Sequence, residues 1–433
     1  MLPLPSAVSR RLRLHSARTQ RQLMFLAGGV ATGAAAVVLA LLADEAQAAF
    51  RSLLRQSHYL PLLITPLGFG IAAFLTMRVF PNSQGSGIPQ AIAARHLAGQ
   101  EARGTLVSIR IAVGKTLLTL FGLLCGASIG REGPTVQVGA SIMFAVGKLS
   151  PRQQSGLILA GAAAGVAAAF NTPLAGIVFG IEEMSRAFEE KTSALLIAAI
   201  IAAGLVSLSL LGDYTYFGTT SVHLGRIGWL AVPLCGVIGG LLGGSFSRIL
   251  IEFGRGLPGF AGRVIKHYPV PFAILCGIGV ALCGLASHDT IYGTGYAQVR
   301  PLLDHGVPVP KSFGLLKLAA TALASVSGIP GGIFSPSLAI GAGIGFNLSA
   351  FFPSTPVAAL VLLGMASYFA GVVQAPITAF VIVTEMTNDH SMVVPLMAAA
   401  FIGKAASRLV CHEGVYHALS KNFLAAITTP HPR

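Results

Sequence analysis

Gly161-Ala-Ala-Ala-Gly-Val-Ala-Ala-Ala-Phe-Asn-Thr-Pro-Leu-Ala-Gly-Ile-Val-Phe-Gly-Ile-Glu182 has a counterpart 203 residues later, Gly364-Met-Ala-Ser-Tyr-Phe-Ala-Gly-Val-Val-Gln-Ala-Pro-Ile-Thr-Ala-Phe-Val-Ile-Val-Thr-Glu385. Gly161 pairs with Gly364, Pro173 with Pro376 and Glu182 with Glu385. Upstream the offset is 202, pairing Lys115 with Lys317, Gly130 with Gly332, Pro134 with Pro336 and Gly139 with Gly341. Further upstream, Gly85-Ser86-Gly87 matches Gly293-Thr294-Gly295 at an offset of 208, and Gln90 faces Gln298. Three blocks in one order mean a chain built twice, with loop insertions causing the drift.

Both copies are apolar enough to need lipid. Of 433 residues, 54% are apolar and 10% charged, and the mean hydropathy is +0.74. A soluble domain carries about a quarter charged residues. Crossing a bilayer takes about 20 apolar helical residues. The stretches 23–42, 156–181, 193–211, 227–247 and 269–287 carry no charge. The 67 residues from Leu318 to Thr384 contain no Lys, Arg, Asp, Glu or His. Gly328–Gly332 and Pro353–Pro356 interrupt them, which predicts several short or broken helices. No alternation of the β-barrel kind is present. The fold class is an all-α polytopic membrane protein.

The resulting organisation is a basic segment over 1–22, a first repeat over 23–211 and a connecting loop over 212–226. A second repeat over 227–410 and a C-terminal helix and tail over 411–433 follow. The net charge of +14 would suggest nucleic acid in a soluble protein, but here the basic residues cluster at segment ends. Arg10, Arg11, Arg13, Arg18 and Arg21 precede the first apolar run without an acid among them. That places the N-terminus in the cytoplasm and leaves no nucleic-acid partner. The short tail leaves no room for a sizeable cytoplasmic regulatory domain. The five cysteines lack metal-ligand spacing and read as small buried hydrophobes.

Paired breaks within the membrane are where transporters place their sites, because half-helix N-termini point partial positive charge at an anion. The breaks here are Gly85–Pro89, Gly130–Pro134 and Gly328–Pro336. A dehydrated halide needs donors, yet a full cationic contact would hold it too tightly for turnover. Backbone amides and one or two hydroxyls meet that demand. Each helix terminus supplies only about 0.3–2 kcal/mol, so several must converge.

Gly85-Ser86-Gly87-Ile88-Pro89, Gly130-Arg131-Glu132-Gly133-Pro134 and Gly332-Ile333-Phe334-Ser335-Pro336 together resemble the signature stretches of the CLC chloride channel and exchanger family. They stand in the family's order, and the likeness runs from about residue 23 to 419. It implies inverted-topology repeats of broken, tilted helices, of the bacterial type without CBS domains. It implies a bacterial inner (plasma) membrane location and a homodimer with one pore per subunit. Chloride is the implied substrate, with protons as the coupled ion and no cofactor or metal. Ser86, Ile333, Phe334 and Tyr416 match the residues that face the central anion, joined by Gly87, Ile88 and Gly133 from the same stretches. Glu132 matches the gating glutamate and Glu183 the internal proton glutamate. Serine at position 86 goes with chloride preference in the family. Position 90 departs from the pattern, with Gln where the family commonly has Glu, so an ion pair expected there is missing.

Each assignment has a plainer reading. Glu132 could be a structural acid at a helix start. Its repeat partner is Phe334, so the architecture does not require an acid there, and intramembrane acids are functional by default. Glu183 could be an interfacial acid near Arg186, but its partner is Met386. Glu182 and Glu385 occur in both halves, which favours a structural role such as satisfying backbone donors. Lys115 and Lys317 are also matched, either raising the potential along the route or pairing with acids. His288, His305 and His390 sit beside acids in polar stretches and read as solvated. No titratable side chain links Glu132 to Glu183, so water is the expected proton carrier.

Three other readings compete. A passive channel of the same family would usually lack the internal acid. An intramembrane enzyme needs a nucleophile–base pair or metal cluster, and neither Gly-x-Ser-x-Gly nor His-Glu-x-x-His occurs. A structural or adaptor protein gives no reason for asymmetric intramembrane acids.

Overall fold

The computed structural model describes residues 6–185, 190–212 and 215–428. Arg186, the last five residues and the side chains of Arg10, Arg11, Arg13 and Arg18 lie outside what it describes. The first half comprises α1 (Ser6–Gln56), α2 (Pro61–Arg78), α3 (Ile88–His96), α4 (Gln100–Gly104), α5 (Ile109–Leu124), α6 (Glu132–Val146) and α7 (Gln154–Phe170). It ends with α8 (Pro173–Phe179), a π-helical turn over Gly180–Ser185, and α9 (Glu190–Leu211). The second half comprises α10 (Ala231–Arg255), α11 (Gly259–His267), α12 (Pro269–Ala286), α13 (Tyr296–His305), α14 (Phe313–Val326) and α15 (Phe334–Leu348). Then come α16 (Val357–Val373), α17 (Pro376–Thr387), α18 (Val393–Arg408) and α19 (Val415–Thr428). The basic segment is not separate from the first span, because α1 runs unbroken from residue 6 to 56.

Seven helices among the described residues are long and apolar enough to cross a membrane. The others are short. The 67-residue uncharged stretch divides among α14, α15, α16 and α17, as its Gly and Pro clusters predict. The fifteen residues of α6 reach only about 22 Å, less than a hydrocarbon core of about 30 Å. Helix starts therefore fall inside the protein. Proline marks many of them: Pro89, Pro173 and Pro376 occupy the first turn, where a missing N–H costs nothing. Asn171 and Gln374 stop α7 and α16 in matched left-handed conformations, with φ of 56° and 58°.

Glycine lets equivalent helices touch in both halves. A Cβ on Gly139 would strike the Gly161 carbonyl, and one on Gly341 would strike that of Gly364. Thus α6 packs backbone-to-backbone on α7, and α15 on α16. Such small-residue contacts drive helix association where lipid removes the hydrophobic incentive.

Two reciprocal contacts define the relation between the halves. Gly130 N–H donates to the Gly332 carbonyl at 2.6 Å, and Gly332 N–H returns to the Gly130 carbonyl at 2.8 Å. The Glu182 carboxylate accepts from the amides of Ile377 (3.2 Å) and Thr378 (2.6 Å). Glu385 accepts from those of Leu174 (3.1 Å) and Ala175 (2.6 Å). Residues at equivalent positions thus exchange identical bonds, as a pseudo-twofold axis between the repeats requires. This is the inverted-topology arrangement of transporter repeats. Glu182 and Glu385 are the structural acids that the repeat implies, each capping the short helix of the opposite half.

Glu182→Gln and Glu385→Gln should each cost about 1–2 kcal/mol, because each weakens a pair of charge-assisted bonds to helix-start amides. Thermal unfolding in detergent should show similar losses for both. A loss confined to one would contradict the reciprocal role.

Candidate anion site

The three Gly/Pro breaks meet in space. Gly85 N–H donates to the Ile329 carbonyl at 3.1 Å, and Gly331 N–H donates to the Gly85 carbonyl at 3.0 Å. With the Gly130–Gly332 pair, these bonds lock together the starts of α3, α6 and α15. The first amides of a helix have no acceptor within it, so this junction collects unsatisfied donors. Gly87 caps α3 at φ 97°, in the left-handed region, and fully buried Ile88 begins the helix. Gly133, the second residue of α6, lies against Ser86: a Cβ there would approach the Ser86 carbonyl to 2.7 Å and Gly332 Cα to 3.2 Å. Only a glycine allows the three helix starts to come so close.

Ser86 and Tyr416 complete the pocket. Both hydroxyl oxygens are buried without a hydrogen-bond partner of normal geometry, although the two side chains lie close enough to interact. Two neighbouring buried hydroxyls without a bond of normal geometry suit a small acceptor such as a halide. Both line a cavity of about 380 Å³ together with Gly85, Gln90, Gly331 and Ile333. Ile333 caps α15, and Phe334 begins it with a buried ring packed on Phe170 and Phe369 at 4.9 and 4.2 Å. All seven residues expected at the anion thus belong to one junction, the late Tyr416 among them. Chemically, the site can hold an anion on amides and hydroxyls without a full positive charge in contact.

Glu132 is fully buried at the start of α6. Its carboxylate crosses to the start of α15, where it accepts from the Ser335 hydroxyl at 2.6 Å and the Ser335 amide at 3.4 Å. A side chain of one repeat thus occupies donors of the other. Glu183 is 3% exposed and lies in the π-helical turn. It meets His417 Nδ1 at 3.2 Å.

His417 was not singled out in the sequence: this titratable ring, one residue after Tyr416, touches the Glu183 carboxylate. Spacing could not reveal this, because 234 residues separate the pair. Tyr216 was missed as well. It belongs to the connection over 212–226, which is no mere linker. The Phe217 and Thr220 amides tie this segment to the carbonyls of Met386 and Thr387, and Tyr216 is buried with its phenol 3.5 Å from Ser335 Oγ.

The matched lysines do not pair with acids among the described residues. Lys115 Nζ donates to the carbonyls of Ser83 (2.7 Å) and Gly85 (2.6 Å). Lys317 donates to those of Ile291 (2.7 Å) and Gly293 (2.6 Å). Each braces the Gly-x-Gly loop of its own half. Gln90 donates to the Gln84 carbonyl at 2.6 Å, so an amide stands where the family commonly has a carboxylate. His288, His305 and His390 are exposed, as expected. All five cysteines are free thiols.

Reciprocal repeats around a junction of broken helices, with seven helices among the described residues apolar and long enough to cross a membrane, are the architecture of a membrane transport protein. The family described as "Voltage gated chloride channel" matches residues 67–408. The chain therefore belongs to the CLC family. It is 30% identical to the H(+)/Cl(-) exchange transporter ClcA of Yersinia pestis bv. Antiqua (strain Angola), over 84% of this chain and 79% of that one. It is also 30% identical to ClcA of Vibrio parahaemolyticus, over 82% of this chain and 78% of that one. Among solved structures, a slow cyanobacterial Cl-/H+ antiporter aligns with a TM-score of 0.81 at 23% identity, over 94% and 98% of the two chains. A CLC-type fluoride/proton antiporter aligns with a TM-score of 0.77 at 25% identity, over 92% and 97%.

Tyr416→Phe and Ser86→Ala each remove one donor. Chloride binding measured by calorimetry in detergent should weaken about tenfold in each, the worth of one hydrogen bond to a charge. Unchanged affinity in both variants would mean that the hydroxyls do not touch the ion.

Proposed function

We propose that the chain exchanges chloride for protons across a membrane, with Glu132 as both gate and outer proton carrier. The observation that carries this reading is the Glu132 carboxylate on the donors of the α15 start, beside the unpaired hydroxyls of Ser86 and Tyr416. An ionised carboxylate is itself an anion and competes with chloride for those donors. Protonation removes its charge and lets chloride take its place. Each proton taken up thereby permits anion movement, and each chloride displaces a carboxylate that must carry a proton. Competition for one set of dipoles is the coupling.

Glu183 hands protons to the cytoplasmic side along a separate branch. His417 at its carboxylate and water in the cavity are the available carriers. The curated relatives named as H(+)/Cl(-) exchange transporters support this reading over a passive chloride channel. The protein would work in the bacterial inner membrane as a homodimer, one pore per subunit, with its N-terminus in the cytoplasm.

Reversal potentials in liposomes under combined chloride and pH gradients test the proposal. An exchanger shifts its reversal potential with pH, whereas a channel follows chloride alone. Glu132→Gln should abolish proton movement while chloride still passes, and Glu183→Gln should do the same. Proton pumping against a chloride gradient by Glu132→Gln would refute the gate.

A further inference from the structure

The Ser335 hydroxyl holds the gate more closely than the Ser335 amide does. It donates to Glu132 Oε1 at 2.6 Å, while the Ser335 amide reaches Oε2 only at 3.4 Å. A serine in the first turn of a helix ordinarily turns its oxygen to its own backbone. This one is directed at the opposite repeat. Its repeat counterpart is Gly133, so the architecture does not require a hydroxyl at this position.

Behind it stands Tyr216. A carboxylate offers no proton, so the Ser335 hydrogen points to Glu132 and the Tyr216 phenol is the donor to Ser335 Oγ, at 3.5 Å. The phenol is fixed by its surroundings. Its ring lies 5.5 Å from Phe170, 4.9 Å from Phe217 and 5.0 Å from Tyr296, and the Arg131 guanidinium lies 5.9 Å from its centre. Arg131 is in turn anchored on Asp44 at 2.8 Å and the Ala40 carbonyl at 2.5 Å. Donors in series polarise one another, so the chain Tyr216 to Ser335 to Glu132 ends in a short, charge-assisted bond.

We propose that Ser335, backed by Tyr216, is a latch that holds the Glu132 carboxylate on the α15 start and so sets how much chloride is needed to displace it. Ser335 is a positioning residue here, acting through Glu132. The inference rests on reading Glu132 as the gate. The latch favours the ionised, blocking form, because a carboxylate accepts a stronger bond than a neutral carboxyl does. It stabilises the closed state against both chloride and protonation.

Chloride uptake into liposomes, measured against chloride concentration and pH, tests this. In Ser335→Ala the half-saturating chloride concentration should fall about tenfold, the worth of one bond to a charge. The pH of half-maximal uptake should rise by about one unit on the same grounds. Ser335→Thr keeps a hydroxyl and should restore both values. Tyr216→Phe should move both in the Ser335→Ala direction but by less, and it gives an independent reading if Ser335→Ala misfolds. In a Glu132→Gln background the Ser335→Ala change should have no further effect. The latch is overturned if half-saturation is unchanged or raised in both Ser335→Ala and Tyr216→Phe. An effect persisting in full without the carboxylate would overturn it too. Full proton coupling in Glu132→Gln alone would remove the gate and the latch together. An uncoupled Glu132→Gln with silent Ser335 and Tyr216 variants would remove the latch alone.

Discussion

A helix that starts inside a membrane leaves amide hydrogens pointing at a medium without water. Each buried donor of this kind costs free energy until something accepts from it. The chain meets that demand in two ways. Glu182 and Glu385 cap α17 and α8, each by two amides, the shorter bond being 2.6 Å. Glu132 caps α15 differently, with one amide at 3.4 Å and a side-chain hydroxyl at 2.6 Å. The first two acids are fixtures of the fold. The third holds the opposite backbone loosely, which fits its proposed role as a cap that leaves and returns. One electrostatic need thus accounts for both the scaffold and the proposed gate, and the length of the amide bonds to the opposite half separates them.

Symmetry makes the same division. What recurs in both halves is mechanical: the braced loops at Lys115 and Lys317, the left-handed stops at Asn171 and Gln374, and the glycine contacts at Gly139 and Gly341. What does not recur is chemical. Glu132 faces Phe334 in the repeat, Glu183 faces Met386, and Ser335 faces Gly133. The pseudo-twofold axis brings two equivalent helix starts together at the Gly130–Gly332 bridge. Only one of them supplies the carboxylate and only the other supplies the hydroxyl. A symmetric pair of acids at that point would repel, and a symmetric pair of hydroxyls would carry no proton.

Most of the scaffold was legible because its signals are local. Gly and Pro clusters break helices through backbone sterics alone, and a duplicated chain repeats them at a nearly constant offset. Those breaks pointed to where a site would lie, and the resemblance to the CLC family singled out Ser86, Glu132, Ile333 and Phe334 within them. The segment over 212–226 read as a polar connection because its polarity is real, yet buried Tyr216 lies within it. His417 was invisible for another reason. Its contact with Glu183 joins two helix ends that are remote in sequence, and no periodicity encodes such a meeting. Of the two readings open for the lysines, pairing with acids does not hold among the described residues, because a count of charges does not include backbone carbonyls. In a protein this poor in carboxylates, carbonyls are the commonest available counter-dipoles.

That last point bears on how an anion path can exist in a chain with a net charge of +14. A free lysine on the route would trap chloride, since a full charge in a low-dielectric site binds far more strongly than turnover allows. Lys115 and Lys317 are fully buried, and their ammonium groups are spent on carbonyls within the Gly-x-Gly loops. Arg131, next to Glu132, is held by Asp44 and the Ala40 carbonyl. Each cation near the site is therefore directed at fixed protein oxygens, leaving the ion to amides and hydroxyls. Gln90 fits this balance: it lines the cavity and donates to the Gln84 carbonyl without adding a charge to the wall.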